Sequence, residues 1–254
     1  MSLPPSGSSI LGSLRQVAKL RAERLADASH GARVRALKVY QAQRFERCYD
    51  DLVAQPRYAA ATTFFLEELY GPQEFVKRDD QFARIVPALV RLAPEGLMNT
   101  LTALAELHAL SESLDDSAAG ALGGLPVEAA RYVRAWQATG QPEQRERQIA
   151  LTLQIGHSLD RYTRSPMLRL SLQMMRAPAQ AAGLSALQQT LERGLAAFAA
   201  MAGAGEFLAV IAERERALAA ALFQPGAAAA VARWPGDGGA RVLSAGLGPL
   251  AQLP

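Results

Sequence analysis

One histidine lies on the apolar face of its predicted helix. Leu97, Leu101, Leu104 and His108 recur at spacings of four, three and four residues, so their side chains share one side of a helix. An imidazole in that position needs a hydrogen-bond partner in the core or a ligand. His108 is therefore the first candidate functional residue, and a satisfied core histidine is the alternative interpretation.

The segment around this histidine, LTALAELHA, is similar to the proximal-histidine helix of globins. The resemblance implies that His108 binds haem iron through one ring nitrogen. It also implies that Phe64, Phe65 or Phe75 takes the place of the phenylalanine that globins set against the haem. No distal histidine can be assigned, and more helices are predicted beyond residue 115 than a globin needs. Haem is therefore the alternative cofactor hypothesis.

Two histidine–carboxylate pairs could in principle bind a metal ion. His108 with Glu112, and His157 with Asp160, each share a helix face, and two such helices could supply four ligands. The Glu-x-x-His order of carboxylate-bridged di-metal bundles does not occur in the sequence. The pattern favours acids that cap or salt-link their own helices over a metal site.

A cluster of aromatic residues, FFLEELYGPQEF at 64 to 75, surrounds a Gly-Pro break. Glycine and proline end helices, so the stretch predicts a helix over 58–70, a corner, and a second helix from about residue 80. Pro87 falls inside that second helix and is expected to kink or restart it. The block KRDD at 77 to 80 could form the polar rim of a pocket at this corner. Asp80 and Arg84, four residues apart, are expected to pair along one helix turn. The predicted binding residues are His108, Phe65, Tyr70 and Phe75.

The same stretch carries a family resemblance. FFLEELYGPQEF followed by KRDDQFARIVPALVRLAP resembles the signature block of an uncharacterised family of proteobacterial proteins, in which a Phe-Phe-Leu-x-x-Leu-Tyr-Gly-Pro run precedes an Arg-Asp pair. The resemblance is clearest over residues 55 to 115. It implies an all-helical domain, and it implies no activity or ligand.

The signatures of common enzymes are missing from the sequence. There is no Gly-x-Ser-x-Gly elbow, no phosphate-binding loop, no Gly-x-Gly-x-x-Gly fingerprint and no His-Glu-x-x-His. The single cysteine, Cys48, falls between Phe45 and Leu52 on an apolar face and is expected to be a buried thiol. An enzyme without a cofactor therefore ranks behind a binding protein.

The first helical region is basic. Between residues 14 and 47, nine lysines and arginines outnumber three acids, which leaves a net charge of +6. Such a surface could contact phosphates nonspecifically. Aromatic residues do not alternate with these cations as base stacking requires, so nucleic acid is disfavoured. The expected arrangement is a solvated face whose arginine stems cover apolar surface.

The remaining pattern predicts an all-α fold. Apolar residues recur at helical spacing almost throughout and no sustained period-2 alternation occurs, which indicates an irregular bundle of about eight to ten helices. Gly31 is expected to interrupt the first two helical runs. Helix starts are expected at Pro94, Pro126, Pro142 and Pro166, and Ser185 is expected to open a capping box. The predicted division is a disordered segment over 1–9, a single helical domain over 10–224, and an irregular or disordered tail over 225–254.

These observations favour a cytoplasmic protein that binds a protein partner or a small apolar ligand at the corner formed by residues 64–92 and the helix of His108. A lone cysteine and the lack of an amino-terminal signal pattern favour a reducing compartment. No apolar run is long enough to predict a membrane span. A homo-oligomer is left open, as is whether residues 10–53 pack on the core or extend from it.

Overall fold

The computed structural model describes residues 5–68, 76–92, 94–233 and 248–254. Within these ranges the chain forms helices and no strand, which confirms the all-α prediction. The α-helices are α1 (Pro5–Ala26), α2 (Ala28–Cys48), α3 (Asp50–Val53), α4 (Ala59–Glu68), α5 (Val76–Leu92), α6 (Glu95–Ala121), α7 (Ala129–Thr139), α8 (Pro142–Thr163), α9 (Pro166–Met174), α10 (Arg176–Ala181), α11 (Ser185–Ala200), α12 (Gly205–Phe223) and α13 (Ala227–Ala232). A 3-10 helix spans Gly248–Gln252.

The longest helix, α6, lies at the centre of the bundle and contacts α1, α2, α7 and α8. Its sequence carries apolar residues around most of its circumference, which is typical of a buried helix. Several of its buried positions are alanines, among them Ala103, Ala105 and Ala109. Because alanine is small, neighbouring helices can approach α6 closely on several sides.

Three groups of buried side chains surround this helix. The largest joins α2, α4, α7, α11 and α12 around Phe45, Phe65, Phe198 and Phe207. A second joins α1, α5 and α6, and a third joins α6 and α8. The N-terminal helices therefore pack on the core, which settles whether residues 10–53 extend as an arm.

The corner between α1 and α2 differs from the expectation that Gly31 interrupts the helix. The break lies at Asp27, whose side-chain oxygen accepts a hydrogen bond from the backbone N–H of His30 at 2.9 Å. Such an acceptor satisfies one of the free amides of the first turn of α2. Gly31 is inside α2, where a Cβ atom would approach the carbonyl oxygen of Arg24 to 2.8 Å. The glycine is needed for close approach rather than for a turn.

Proline marks some helix boundaries as predicted and others not. Pro94 immediately precedes α6, and Pro142 and Pro166 open α8 and α9. Pro126 does not open a helix, since α7 begins at Ala129.

Helix α5 begins at Val76, earlier than expected, and continues through Pro87 as one helix. Buried Phe82 and Val86 hold its apolar face in the second group of core residues, which offsets the lost backbone hydrogen bond.

The start of α11 is predicted correctly, but the capping box is not formed. Helix α11 begins at Ser185 with Leu184 as its N-cap, and no side chain caps it. The Gln188 amide instead donates to the carbonyl of Leu172 at 2.6 Å. Tertiary contact with the α9 segment has replaced the local hydrogen bond.

The described parts of the C-terminal region differ from an irregular tail. Residues 227–232 form α13, and residues 248–252 form the 3-10 helix with Leu250 and Leu253 buried in the largest core group. The sequence there shows no apolar period, because the segment is short and Leu250 and Leu253 are its two residues in the core group. Residues 1–4, 69–75, 93 and 234–247 fall outside the described ranges.

No single helix among the described residues has the length and apolar character to cross a membrane. Helices α11 and α12 reach the length only as a pair, and they are bent by 104° at the break between them.

Candidate functional site

A cavity of about 310 Å³ lies inside the bundle. Its walls come from helices on every side of α6, with most of the lining area apolar. Phenylalanines and leucines of α4, α5, α6 and α11 form much of the wall, and a smaller set of charged and polar side chains of α2, α4, α5, α6, α8, α11 and α12 borders it. The described residues thus surround a mostly apolar space that is bordered by many charged and polar side chains.

Two of the predicted binding residues, His108 and Phe65, border this cavity. Phe65 is also a core residue, because its ring centroid lies 6.0 Å from that of Phe198 and 5.6 Å from that of Phe207. The other two predicted residues, Tyr70 and Phe75, lie outside the described residues. The structure therefore brings together half of the predicted set.

His108 is hydrogen-bonded to a carboxylate rather than to a backbone carbonyl. His108 Nε2 lies 2.9 Å from Asp79 Oδ2, and Arg21 Nη2 donates to the same oxygen at 2.7 Å. Burial alone would raise the pKa of Asp79, but the hydrogen bonds from His108 and Arg21 and the nearby charges lower that pKa to about 2. The three side chains, here called the histidine cluster, join α1, α5 and α6 at the cavity wall.

A second polar group at the same end of the cavity centres on Glu68 of α4. Arg78 Nη1 donates to Glu68 Oε2 at 3.1 Å, and the Thr190 hydroxyl donates to that oxygen at 3.3 Å. Arg193 forms an ion pair with the other oxygen of Glu68. The KRDD block thus contributes Arg78 and Asp79 to the cavity wall, as the pocket-rim prediction requires. The pair expected between Asp80 and Arg84 is replaced, since Arg84 Nη2 donates to the carbonyl of Gly183 at 3.0 Å.

A third group, here called the glutamate cluster, contains Glu112, Lys38 and Arg24. Lys38 Nζ donates to Glu112 Oε1 at 2.6 Å, and Arg24 Nη1 donates to Glu112 Oε2 at 2.5 Å. All three side chains are buried. Burial alone would raise the pKa of Glu112, but the charge of Lys38 and the hydrogen bond from Arg24 outweigh it, so that pKa lies below its usual value.

Arg24 and Asp116 extend this cluster toward the surface, where Arg24 Nε donates to Asp116 Oδ1 at 2.9 Å. His30 Nε2 lies 2.9 Å from the same oxygen. One helix turn from Glu112, Asp115 accepts a hydrogen bond from the Gln41 amide at 3.0 Å. Burial raises the pKa of Asp115.

On the α12 side, the cavity is bordered by an arginine stacked on a tryptophan. The guanidinium carbon of Arg145 lies 3.8 Å from the ring centroid of Trp136, which is within cation–π range. Nearby, Arg44 Nη1 and the Tyr49 hydroxyl donate to Glu215 Oε1 at 2.5 and 2.9 Å. Arg44 is therefore matched by an acid, whereas Arg145 contacts the tryptophan ring and donates through Nη1 to Gln148 Oε1 at 3.3 Å.

The metal hypothesis is not supported by the geometry. Glu112 is held by Lys38 and Arg24, while His108 pairs with Asp79 of another helix. His157 is exposed, and Asp160 accepts from Arg164 and from the backbone N–H of Ala204. Within the described ranges, no group of three or more His, Cys, Asp or Glu side chains could hold a metal ion.

The basic N-terminal region is only in part the solvated face that its sequence suggests, since Arg15, Lys19, Arg35 and Arg47 are exposed. Arg24, Lys38 and Arg44 are buried, and together with Arg21 they pair with carboxylates of α5, α6 and α12. These acids lie between 58 and 171 residues further along the chain. The cations therefore attach α1 and α2 to the core, which removes four of the nine charges that could have met a polyanion.

Cys48 is buried, as predicted. Burial raises the pKa of its thiol, and Cys48 Sγ donates to Gln252 Oε1 at 2.8 Å. A protonated, enclosed thiol is a poor nucleophile.

The fold and the cavity define an all-α bundle with an internal, mostly apolar pocket. Residues 20–229 match the model of a family described as "Domain of unknown function (DUF8198)", and the chain belongs to this family. The finding agrees with the predicted membership in an uncharacterised family. Comparison with curated proteins and with solved structures gives no match.

Proposed function

We propose that this protein binds a small, largely apolar, uncharged molecule in its internal cavity. The observation that carries the proposal is the cavity itself, whose volume of about 310 Å³ falls within the range of small-molecule sites. Protein interiors are otherwise close-packed. A dry, empty cavity of this volume would cost on the order of 7 kcal/mol, which is comparable with the whole stability of many domains.

The charged groups at the wall support an uncharged ligand. Lys38 pairs with Glu112, Arg44 with Glu215, and Arg78 with Glu68. A charged ligand that bound to one of these three pairs would have to displace one of its members, and breaking such a buried pair typically costs about 3–5 kcal/mol. An apolar ligand leaves these pairs intact and still finds hydrogen-bonding groups at the cavity wall.

The position of the cavity also supports the proposal. Phe65, Arg78, Asp79 and His108 all border it, and they belong to the corner where the sequence predicts a pocket.

We further propose that the protein works in the cytoplasm. We also propose that the FFLEELYGP block is a signature of its family, which we expect to be proteobacterial.

Binding of N-phenyl-1-naphthylamine, an uncharged apolar fluorophore, tests the proposal. We expect the wild-type protein to bind the probe with increased emission. Leu104→Trp and Leu191→Trp add bulk at two half-buried lining positions on opposing helices, α6 and α11. Each should weaken probe binding by at least about tenfold, because the added indole fills the space.

Leu25→Trp is the matched control, since Leu25 is 86 % exposed and does not border the cavity. It should bind the probe as the wild type does. No binding by the wild type, or equal binding by all four proteins, would contradict the proposal. Circular dichroism and thermal unfolding establish whether the variants fold. Because there are two cavity-filling variants, the test remains informative if one of them does not fold.

We keep haem as a second candidate ligand because of one observation. His108 borders the cavity and is hydrogen-bonded through Nε2 to Asp79, and a carboxylate on one ring nitrogen is usual for histidines that bind metal through the other. Titration with haemin should then give a sharpened Soret band that His108→Ala abolishes. A spectrum identical to that of free haemin would remove this candidate and leave the apolar-ligand proposal unaffected.

A further inference from the structure

Helix α9 exposes a row of large apolar side chains. Met167, Leu170 and Met174 recur at spacings of three and four residues, which places them on one face of the helix. Their exposed fractions are 78, 56 and 63 %, and Met175, directly after the helix, is 51 % exposed. Four of the nine exposed large apolar residues of the described chain therefore lie within nine consecutive positions.

The surroundings of this apolar face are positively charged. The sequence from 160 to 192 contains four arginines, no lysine and two acids, Asp160 and Glu192, which leaves a net charge of +2. Arg161, Arg164 and Arg176 are exposed. Arg164 and Arg176 are paired with Asp160 and Glu192 in ion pairs at the surface. The side chains of Arg164 and Arg176 are 69 and 63 % exposed in these pairs, so their guanidinium groups are accessible to an external anion.

An apolar helix face bordered by arginines has the composition of a membrane-surface helix. A second copy of the same surface is disfavoured as a partner, because two copies would bring the same arginines together in a symmetric contact. An anionic bilayer complements both features at once, since lipid phosphates and carboxylates meet the arginines while methionine and leucine enter the acyl boundary.

We propose that α9 and Met175 dock on the surface of an anionic lipid bilayer without crossing it. The docking surface consists of Met167, Leu170, Met174 and Met175 with Arg164 and Arg176 at its edges. The opposite side of the same helix supplies Leu172 to the cavity wall. Docking itself does not depend on whether the cavity binds a ligand.

Vesicle flotation with the full chain tests the docking surface. The wild type should float with vesicles of phosphatidylcholine containing phosphatidylserine, and much less with phosphatidylcholine alone. The triple variant Met167→Ser, Leu170→Ser, Met174→Ser should lose at least about tenfold in binding. Leu25→Ser removes an equally exposed leucine from α1 and should bind as the wild type does.

The charge requirement is tested separately. Arg164→Gln with Arg176→Gln should weaken binding and reduce its salt dependence, whereas Arg147→Gln, which removes an exposed arginine paired with Glu106, should leave binding unchanged. Failure of the wild type to bind anionic vesicles, or equal binding by the triple variant and Leu25→Ser, overturns the proposal. Self-association of the wild type that the triple variant abolishes, without vesicle binding, would identify a protein interface instead and also overturns it.

Discussion

Buried ion pairs are the dominant feature at the scale of single residues. In the glutamate cluster, one carboxylate on α6 accepts from a lysine of α2 and an arginine of α1. A carboxylate so placed is costly to bury alone but becomes stable when both oxygens are bonded to cations. Glu112 therefore links three helices that the hydrophobic pattern alone would not place in register.

We expect Glu112→Gln to destabilise the protein by about 3 kcal/mol, because the change leaves Lys38 and Arg24 buried without their shared negative charge. Urea unfolding measures the loss. Glu106→Gln is the matched control, since the Glu106–Arg147 pair is on the surface, with side-chain exposures of 40 and 50 %. That change should cost no more than about 1 kcal/mol. Equal effects of the two substitutions would contradict the structural role of Glu112.

The pH dependence gives an independent measurement of the same carboxylate. The pKa of Glu112 is lower in the folded protein than its ordinary value of 4.5. Its contribution is therefore fully present above about pH 4.5 and is lost as the pH falls through the lower, folded-state pKa. Wild-type stability should fall below about pH 4.5, and Glu112→Gln should lack that part of the fall.

Sequence reasoning reached only some of these residues. The position of His108 on an apolar stripe was a usable signal, and the KRDD block predicted polar groups at a pocket. The partners of His108 and Glu112 were not predictable, because Asp79, Arg21 and Lys38 come from other helices and periodicity says nothing about which helices meet. The same limit made buried cations of α1 and α2 resemble a solvated basic face.

At the scale of elements, the α1–α2 corner shows how a glycine can be misinterpreted. Glycine in a helical pattern often marks a break, yet the chain turns at Asp27 and continues as helix through Gly31. The glycine lies where the end of α1 passes closest to α2. Prolines gave clearer signals at α8 and α9, because their missing N–H costs no helical hydrogen bond in a first turn, whereas Pro87 lies inside α5 without ending it.

We expect Gly31→Ala to destabilise the protein even though alanine favours helices. The new Cβ would lie 2.8 Å from the carbonyl oxygen of Arg24, so the two helices must separate at a corner that also positions Arg24 in the glutamate cluster. Gly12→Ala is the matched control inside α1, where a Cβ meets nothing within 4 Å. It should stabilise by about 0.5–1 kcal/mol. Thermal unfolding distinguishes the two, and a stabilised Gly31→Ala would show that the corner has room.

At the scale of the whole molecule, the all-α class followed from helical spacing and from the absence of strand patterns. The cavity did not, because its lining is assembled from helices that lie far apart in sequence. A leucine that faces a void has the same local pattern as a leucine that faces another side chain. Enclosed space is a property of the complete packing arrangement and is not visible in any one segment.

The C-terminal end of the described chain packs on the largest core group, next to α2. Leu250 and Leu253 are buried there, and Arg47 Nη1 donates to the carbonyl of Leu253 at 3.1 Å. The same segment covers Cys48 of α2, whose thiol donates to Gln252. Residues 248–254 therefore act as a cover over the C-terminal end of α2.

We expect the double substitution Leu250→Ala, Leu253→Ala to expose Cys48. Without its two buried leucines the cover should open locally, which admits solvent to a thiol whose pKa is raised by burial and increases the thiolate fraction. Labelling of Cys48, the single cysteine of the chain, by a thiol reagent should accelerate by at least about tenfold.

The conservative control Leu253→Met preserves volume and apolar character and should be labelled at the wild-type rate. Labelling that is independent of added low denaturant indicates local opening of the cover, since global unfolding would be strongly denaturant-dependent. Unchanged labelling in the double variant would mean that Cys48 is protected by α2 and α12 alone. In that case the contacts of residues 248–254 with α2 contribute little to holding the molecule closed.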